Sequence, residues 1–87
     1  SELVFQYYFY IEAEDKPGVM ASITSLMASK GVGIESIVQK EELDENCVPI
    51  ILITDPFKES DYSELHTELL TIESVKNIRS IRVESNK

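Results

Sequence analysis

Along the first stretch of the chain, apolar residues recur at every second position. Phe5, Tyr7, Phe9, Ile11 and Ala13 fall on one face, and Gln6, Tyr8, Tyr10 and Glu12 on the other. That is the period of a β-strand, and the β-branched and aromatic residues favour extended backbone. The second face is half aromatic, which predicts that it meets something other than water. After Glu14-Asp15-Lys16-Pro17-Gly18 the period changes: Val19, Met20, Ile23, Leu26 and Met27 recur at three- and four-residue spacing up to Lys30-Gly31. An amphipathic helix is expected there, with Asp15 as its cap, Pro17 in its first turn and Gly31 at its end.

A second strand is expected over 32–41, with Ile34, Ser36 and Val38 on one side and Glu35, Ile37 and Gln39 on the other. The charged stretch 41–46 is short enough to return the next strand antiparallel. That strand, 47–54, is almost continuously apolar, as in a strand covered on both faces. Pro49 suits only its start. Asp55-Pro56-Phe57-Lys58 reads as a loop, and Ser60 or Asp61 as the cap of a second helix with Tyr62, Leu65, Leu69 and Ile72 as its stripe. A last strand, 75–84, carries Ile78, Ile81 and Val83, and Ser85-Asn86-Lys87 reads as a frayed tail.

The order β-α-β-β-α-β predicts an α+β, ferredoxin-like sandwich. Four antiparallel strands in the order 4-1-3-2 carry both helices on one face. With 87 residues the chain is read as a single domain, 1–87 with its core over 5–84, burying roughly 63% of its unfolded surface. A Rossmann unit would not fit beside that core. Because the chain begins at Ser1 rather than Met, it is expected to be a piece excised from a longer protein.

Composition narrows the chemistry. Sixteen acidic residues against eight Lys and Arg give a net charge of −8, a surface that repels phosphate backbones and anionic membranes. No nucleic-acid or membrane partner is therefore expected, and no apolar run approaches the ~18 residues of a membrane helix. A single Cys excludes a disulfide framework and a structural zinc site, and fits a reducing, cytoplasmic setting. His66, mid-helix, reads as a solvated or half-buried residue rather than a base, and Cys47 as a small hydrophobe. Glu41-Glu42 and Asp44-Glu45 read as a solvated loop. No catalytic residue, no metal ligand and no cofactor site is expected in these 87 residues.

The first turn is the exception. Asp15-Lys16-Pro17-Gly18-Val19 joins a strand to a helix N-terminus, where unpaired N–H groups and the dipole favour a carboxylate. Gly18 would let a ligand approach the backbone, and Asp15 could receive its ammonium group. A free amino acid matches that pair of charges. The same residues also make a good turn and cap with no ligand at all.

These residues carry a resemblance. Asp15-Lys16-Pro17-Gly18-Val19-Met20 and Gly31-Val32-Gly33-Ile34-Glu35-Ser36-Ile37 resemble the ACT domain, a small regulatory module of amino-acid metabolism. Tyr7-Tyr8, Ile37-Val38-Gln39, 48–54 and Ile81-Arg82-Val83-Glu84 are similar, more narrowly, to the C-terminal ACT domain of homoserine dehydrogenase. The likeness spans about residues 5–84. It implies the fold derived above, homodimers or higher oligomers through ACT–ACT contacts, and an amino-acid effector (threonine favoured) held between the first turn of one copy and strand 2 of another. The effector-binding residues it implies are Asp15, Lys16, Pro17, Gly18, Val19 and Met20, with Ile34 and Gln39 opposite.

For the parent chain the resemblance implies NAD(P)-dependent reduction of aspartate semialdehyde to homoserine in an upstream domain. Two positions depart from the pattern: Gly33 stands where ligand-binding ACT domains carry Asn or Ser, and Asp55 where this subfamily often has His. The alternatives are a purely structural oligomerisation module, the ACT domain of an aspartokinase, or a free-standing amino-acid sensor.

Overall fold

A computed structural model describes residues 2–44 and 46–84. The tail expected at 85–87 and Glu45 of the acidic loop lie outside the described residues. Alternation builds the first strand: β1, Val4–Ala13, buries Phe5, Tyr7, Phe9, Ile11 and Ala13 on one face. It is followed by α1 (Val19–Ser29), β2 (Ile34–Gln39), β3 (Val48–Thr54), a two-residue β4 (Phe57–Lys58) and a single 3₁₀ turn (Glu59–Asp61). Then come α2 (Tyr62–Leu69) and β5 (Val75–Glu84). The long strands lie in the order β2-β3-β1-β5, all neighbours antiparallel, so the expected 4-1-3-2 order of the ferredoxin-like sandwich holds.

The sheet has five strands rather than four, because the expected loop at Phe57 and Lys58 pairs with Phe5 and Val4. The β1–β3 ladder runs from Ala13↔Val48 to Tyr8↔Ile53, and the β4 pairs resume it one residue out of step. β4 is thus the continuation of β3 past a bulge at Asp55-Pro56, where Pro56 has no N–H to offer a ladder. Thr54 closes the gap: its buried Oγ1 accepts the Tyr7 N–H at 3.1 Å.

Both helices cover the same face. Val19, Ile23 and Met27 of α1 and Leu65 and Leu69 of α2 join Phe9, Ile11, Ile50 and Leu52 in one core. Lys30, at the end of α1, ties the helices together by pairing with Glu64 at 2.6 Å and with Glu68 of α2. α1 closes as expected, in a Schellman arrangement: Gly31 is left-handed at φ 71°, with Val32 N–H donating to Met27 O and Gly31 N–H to Ala28 O.

Three local expectations are corrected. The N-cap of α1 is Gly18, at φ 90°, not Asp15, and Pro17 lies in the turn before the helix rather than inside it. Asp61 does precede α2, but its side chain makes no capping hydrogen bond, because the 3₁₀ turn leads straight into the helix. In β2 a bulge at Glu35 breaks the alternation: Ile34 pairs with Thr54 but Ser36 with Ile53. Ile37 therefore joins Ile34 against the core, and Val38 turns to the uncovered face.

That uncovered face is apolar. Strand pairing places Tyr8, Tyr10, Ile51, Ile53, Val38, Ile81 and Val83 on it together. Ile81 and Val83, read from the sequence simply as apolar strand positions, are exposed. The Arg79 guanidinium lies 4.9 Å from the Tyr10 ring centre.

Candidate functional site

The turn between β1 and α1 is open and built on one glycine. Asp15, Lys16, Pro17 and Gly18 are all exposed. With φ at 90°, Gly18 occupies the left-handed region that L side chains adopt at a cost. No side chain caps α1. Its first intrahelical bond runs from Ser22 N–H to Gly18 O at 2.9 Å, so the Met20 and Ala21 N–H groups precede the ladder and have no partner within it. The turn is pinned by Glu14 N–H to Ser74 O at 2.8 Å, while Lys16 reaches Glu14 (3.4 Å) and Glu73 (3.8 Å). Asp15 has no such tie among the described residues.

The remaining candidates divide by position. Val19 puts its side chain in the core, and Met20 is half-buried against it. Gln39 is exposed and pairs with Ile50, which pairs in turn with Ile11; it lies two strands from β1, about 10 Å across the sheet. Ile34 pairs with Thr54, beside Tyr7, roughly 20 Å along the sheet from Ala13 and the turn. One copy of the chain therefore does not bring Ile34 to the turn.

The two positions that depart from the family pattern meet. Asp55 N–H donates to Gly33 O at 2.9 Å, and a Cβ on residue 33 would overlap the Asp55 carboxylate. Asp55 occupies the volume that a side chain at 33 would need. The sequence shows both departures but not that each accommodates the other, since 21 intervening positions separate them and only the β2–β3 pairing joins them.

Other candidate chemistry is thin. His66 is half-buried with its ring 5.6 Å from that of Tyr62, and Cys47 is a partly buried free thiol. Among the described residues no group of three or more His, Cys, Asp or Glu could hold a metal ion, and no helix is long and apolar enough to cross a membrane.

A buried polar group escaped the sequence reading. Tyr7, on the core face of β1 and only 2% exposed, finds no hydrogen-bond partner for its hydroxyl among the described residues. Its ring lies 4.7 Å from that of Tyr62 and 4.8 Å from that of Phe57. Period two placed Tyr7 inside, but nothing in that period marks a tyrosine from a phenylalanine.

Set beside known proteins, residues 7–73 match the family model described as ACT domain. A homoserine dehydrogenase of Pseudomonas aeruginosa is 39% identical over 80 residues, which take in 90% of this chain and 18% of that protein. The crystal structure of a homoserine dehydrogenase from Thiobacillus denitrificans superposes with a TM-score of 0.74 at 28% identity, covering 93% of this chain and 17% of that one. The ACT domain of a GTP pyrophosphokinase from Chlorobium tepidum, solved by itself, superposes with a TM-score of 0.72 at 19% identity, covering 90% of this chain and 99% of that one. The chain spans 13 to 20% of the length of the curated relatives it matches.

Proposed function

The chain belongs to the ACT domain family, and from that premise we propose that it is the regulatory domain of a homoserine dehydrogenase. It binds an amino acid, threonine before others, and passes that binding to the parent enzyme. The observation that carries the proposal is the turn at Gly18. A left-handed N-cap, no side chain of its own over the helix end and an untied Asp15 leave N–H groups for a carboxylate beside a carboxylate for an ammonium group.

The effector sits between two copies: the Asp15–Met20 turn of one, with Ile34 and Gln39 of the other. The separation of Ile34 from the turn within a single chain supports that arrangement. Effector affinity that differs between states of the dimer then shifts the parent between them. The parent reduces aspartate semialdehyde to homoserine with NAD(P)H bound in its own upstream domain, in the cytoplasm; none of that chemistry belongs to these residues. Gly33 lacks the side chain that would add a contact, so binding weaker than in a copy that carries one is expected.

Calorimetric titration with threonine, isoleucine, serine and lysine tests the reading. Heat with threonine that Asp15→Ala abolishes supports it, and silence for all four at millimolar concentration removes it. The uncovered face of Tyr8, Val38, Ile81 and Val83 favours a second reading, a module that only holds copies together. In that case Asp15→Ala leaves both inhibition and oligomer unchanged.

A further inference from the structure

At the other end of β1, a hollow of about 440 Å³ opens between α2 and β5, lined by Tyr7, Glu59, Tyr62, Ser63, Ser80 and Arg82. Its floor is aromatic, the stacked rings of Tyr7 and Tyr62. Its wall is a hydroxyl pair, Tyr62 Oη and Ser80 Oγ at 2.7 Å. Across its mouth lies Arg82, whose guanidinium rests 4.2 Å from the Phe5 ring centre and pairs with Glu59.

Beneath that arginine sits the Tyr7 hydroxyl, buried and without a hydrogen-bond partner among the described residues. A buried hydroxyl without a partner costs stability and requires an explanation. Burial pushes its pKa up, and the neighbouring Arg82 partly offsets this; a guanidinium only donates, so the Tyr7 O–H still lacks an acceptor among the described residues. The Glu59–Arg82 pair is half exposed on both sides and therefore weakly held.

We propose that this hollow is a binding site for a small carboxylic acid, whose carboxylate accepts the Tyr7 O–H and one arm of Arg82. The ligand exchanges with Glu59 for the guanidinium, a planar fork suited to a carboxylate. Glu59, once released, faces the ligand's other end and favours one that carries an ammonium group. The net charge of −8 acts the same way, since a zwitterion enters that field without net charge and a plain anion does not. The Tyr62 ring receives the apolar part. The site shares no residue with the Gly18 turn and does not rest on the regulatory reading.

Three probes of one carbon skeleton separate the contributions: L-leucine, 2-hydroxyisocaproate and isoamylamine, titrated into the 87-residue chain while amide NMR shifts are followed. The expected result is saturable shifts at Ser63, Ser80 and Arg82 with the first two probes and none with the amine, which lacks the carboxylate. Tyr7→Phe weakens binding at least fivefold and Arg82→Met at least tenfold. Glu59→Gln weakens leucine but not the hydroxy acid, whereas Asp15→Ala changes none of these.

Tyr7→Phe retains or raises the thermal midpoint, which separates a lost contact from a lost fold. The proposal is overturned if no probe saturates by tens of millimolar, if the shifts fall at Gly18 to Met20 instead, or if Tyr7→Phe binds as tightly as the parent chain. Failure here leaves threonine binding at the turn untouched, and failure at the turn leaves this site untouched.

Discussion

The two ends of β1 offer opposite kinds of polar group. Past Ala13 the offer is backbone: N–H groups of an uncapped helix, set by one left-handed glycine in an exposed turn. Around Tyr7 it is a side chain: a hydroxyl sunk in the core beneath an arginine. Backbone donors survive almost any change of side chain, provided the turn keeps its path. A buried hydroxyl is removed by a single oxygen atom while the fold stays intact. The first end is therefore robust in sequence and fragile in conformation, and the second is the reverse.

The strongest way to break the contrast is to remove what both ends share. Phe9, 1% exposed, lies midway along β1 with the helices packed on it. Phe9→Ala should cost about 3–5 kcal/mol. Chemical denaturation followed by NMR should show both ends melting in one transition; separate transitions would mean that the ends are independent units.

Next comes the turn. Gly18→Val places a β-branched residue at φ 90° and should cost about 1–2 kcal/mol in denaturant melts. It should also perturb the amides of the Gly18–Ala21 stretch while sparing those of Ser80 and Arg82. At the other end, Tyr7→Phe deletes an unpartnered hydroxyl and should be neutral or stabilise by up to about 1 kcal/mol. A loss of that size instead would show that the hydroxyl has a partner in solution.

The smallest effect is electrostatic and belongs to neither end. Lys30 beside Glu64 holds that carboxyl below its ordinary value of 4.5, and Glu64 first, then Glu68, hold the ammonium above 10.5. The contribution of Glu64 is present above pH 4.5 and is lost as pH falls through its lowered folded value. That of Lys30 is present below pH 10.5 and is lost as pH rises through its raised one. Lys30→Met should therefore flatten the acid limb of a Tm–pH curve, and about 0.5 M salt should erase most of the difference between variant and parent.

The fold was legible wherever a period ran unbroken. β1, α1 and the stripe of α2 follow from spacing alone, and the charged loop fixes β3 as antiparallel to β2. Legibility failed where a single residue slips. The bulge at Glu35 moved Ile37 inward and Val38 outward, and no local pattern distinguishes that from regular alternation. β4 escaped because two residues carry no period, and Pro56 argued for a loop.

At the candidate site the sequence marked the turn through Pro17-Gly18 but misassigned its cap. Only a backbone angle distinguishes an Asp that caps from a Gly that takes its place. Arg82 was legible as part of a family segment. That it lies over Tyr7 depends on a β1–β5 register in which residue 7 meets residue 82, a pairing between distant parts of the chain that local reading cannot supply.

That register also governs time. Within this domain β1 is made before the other strands and is the most central, yet Phe5 waits for Glu84 and Tyr8 for Ile81 before its second edge is closed. Pairings this distant slow folding relative to a helical bundle, as in other mixed α/β domains. Until β5 arrives, one edge of an aromatic strand stands unpaired, ready to join a strand of any other chain nearby. A nascent copy is therefore vulnerable to aggregation from the emergence of β1 until β5 has left the ribosome, and a pause that leaves β1 to β3 outside and β5 still inside should lower its yield more than a pause elsewhere.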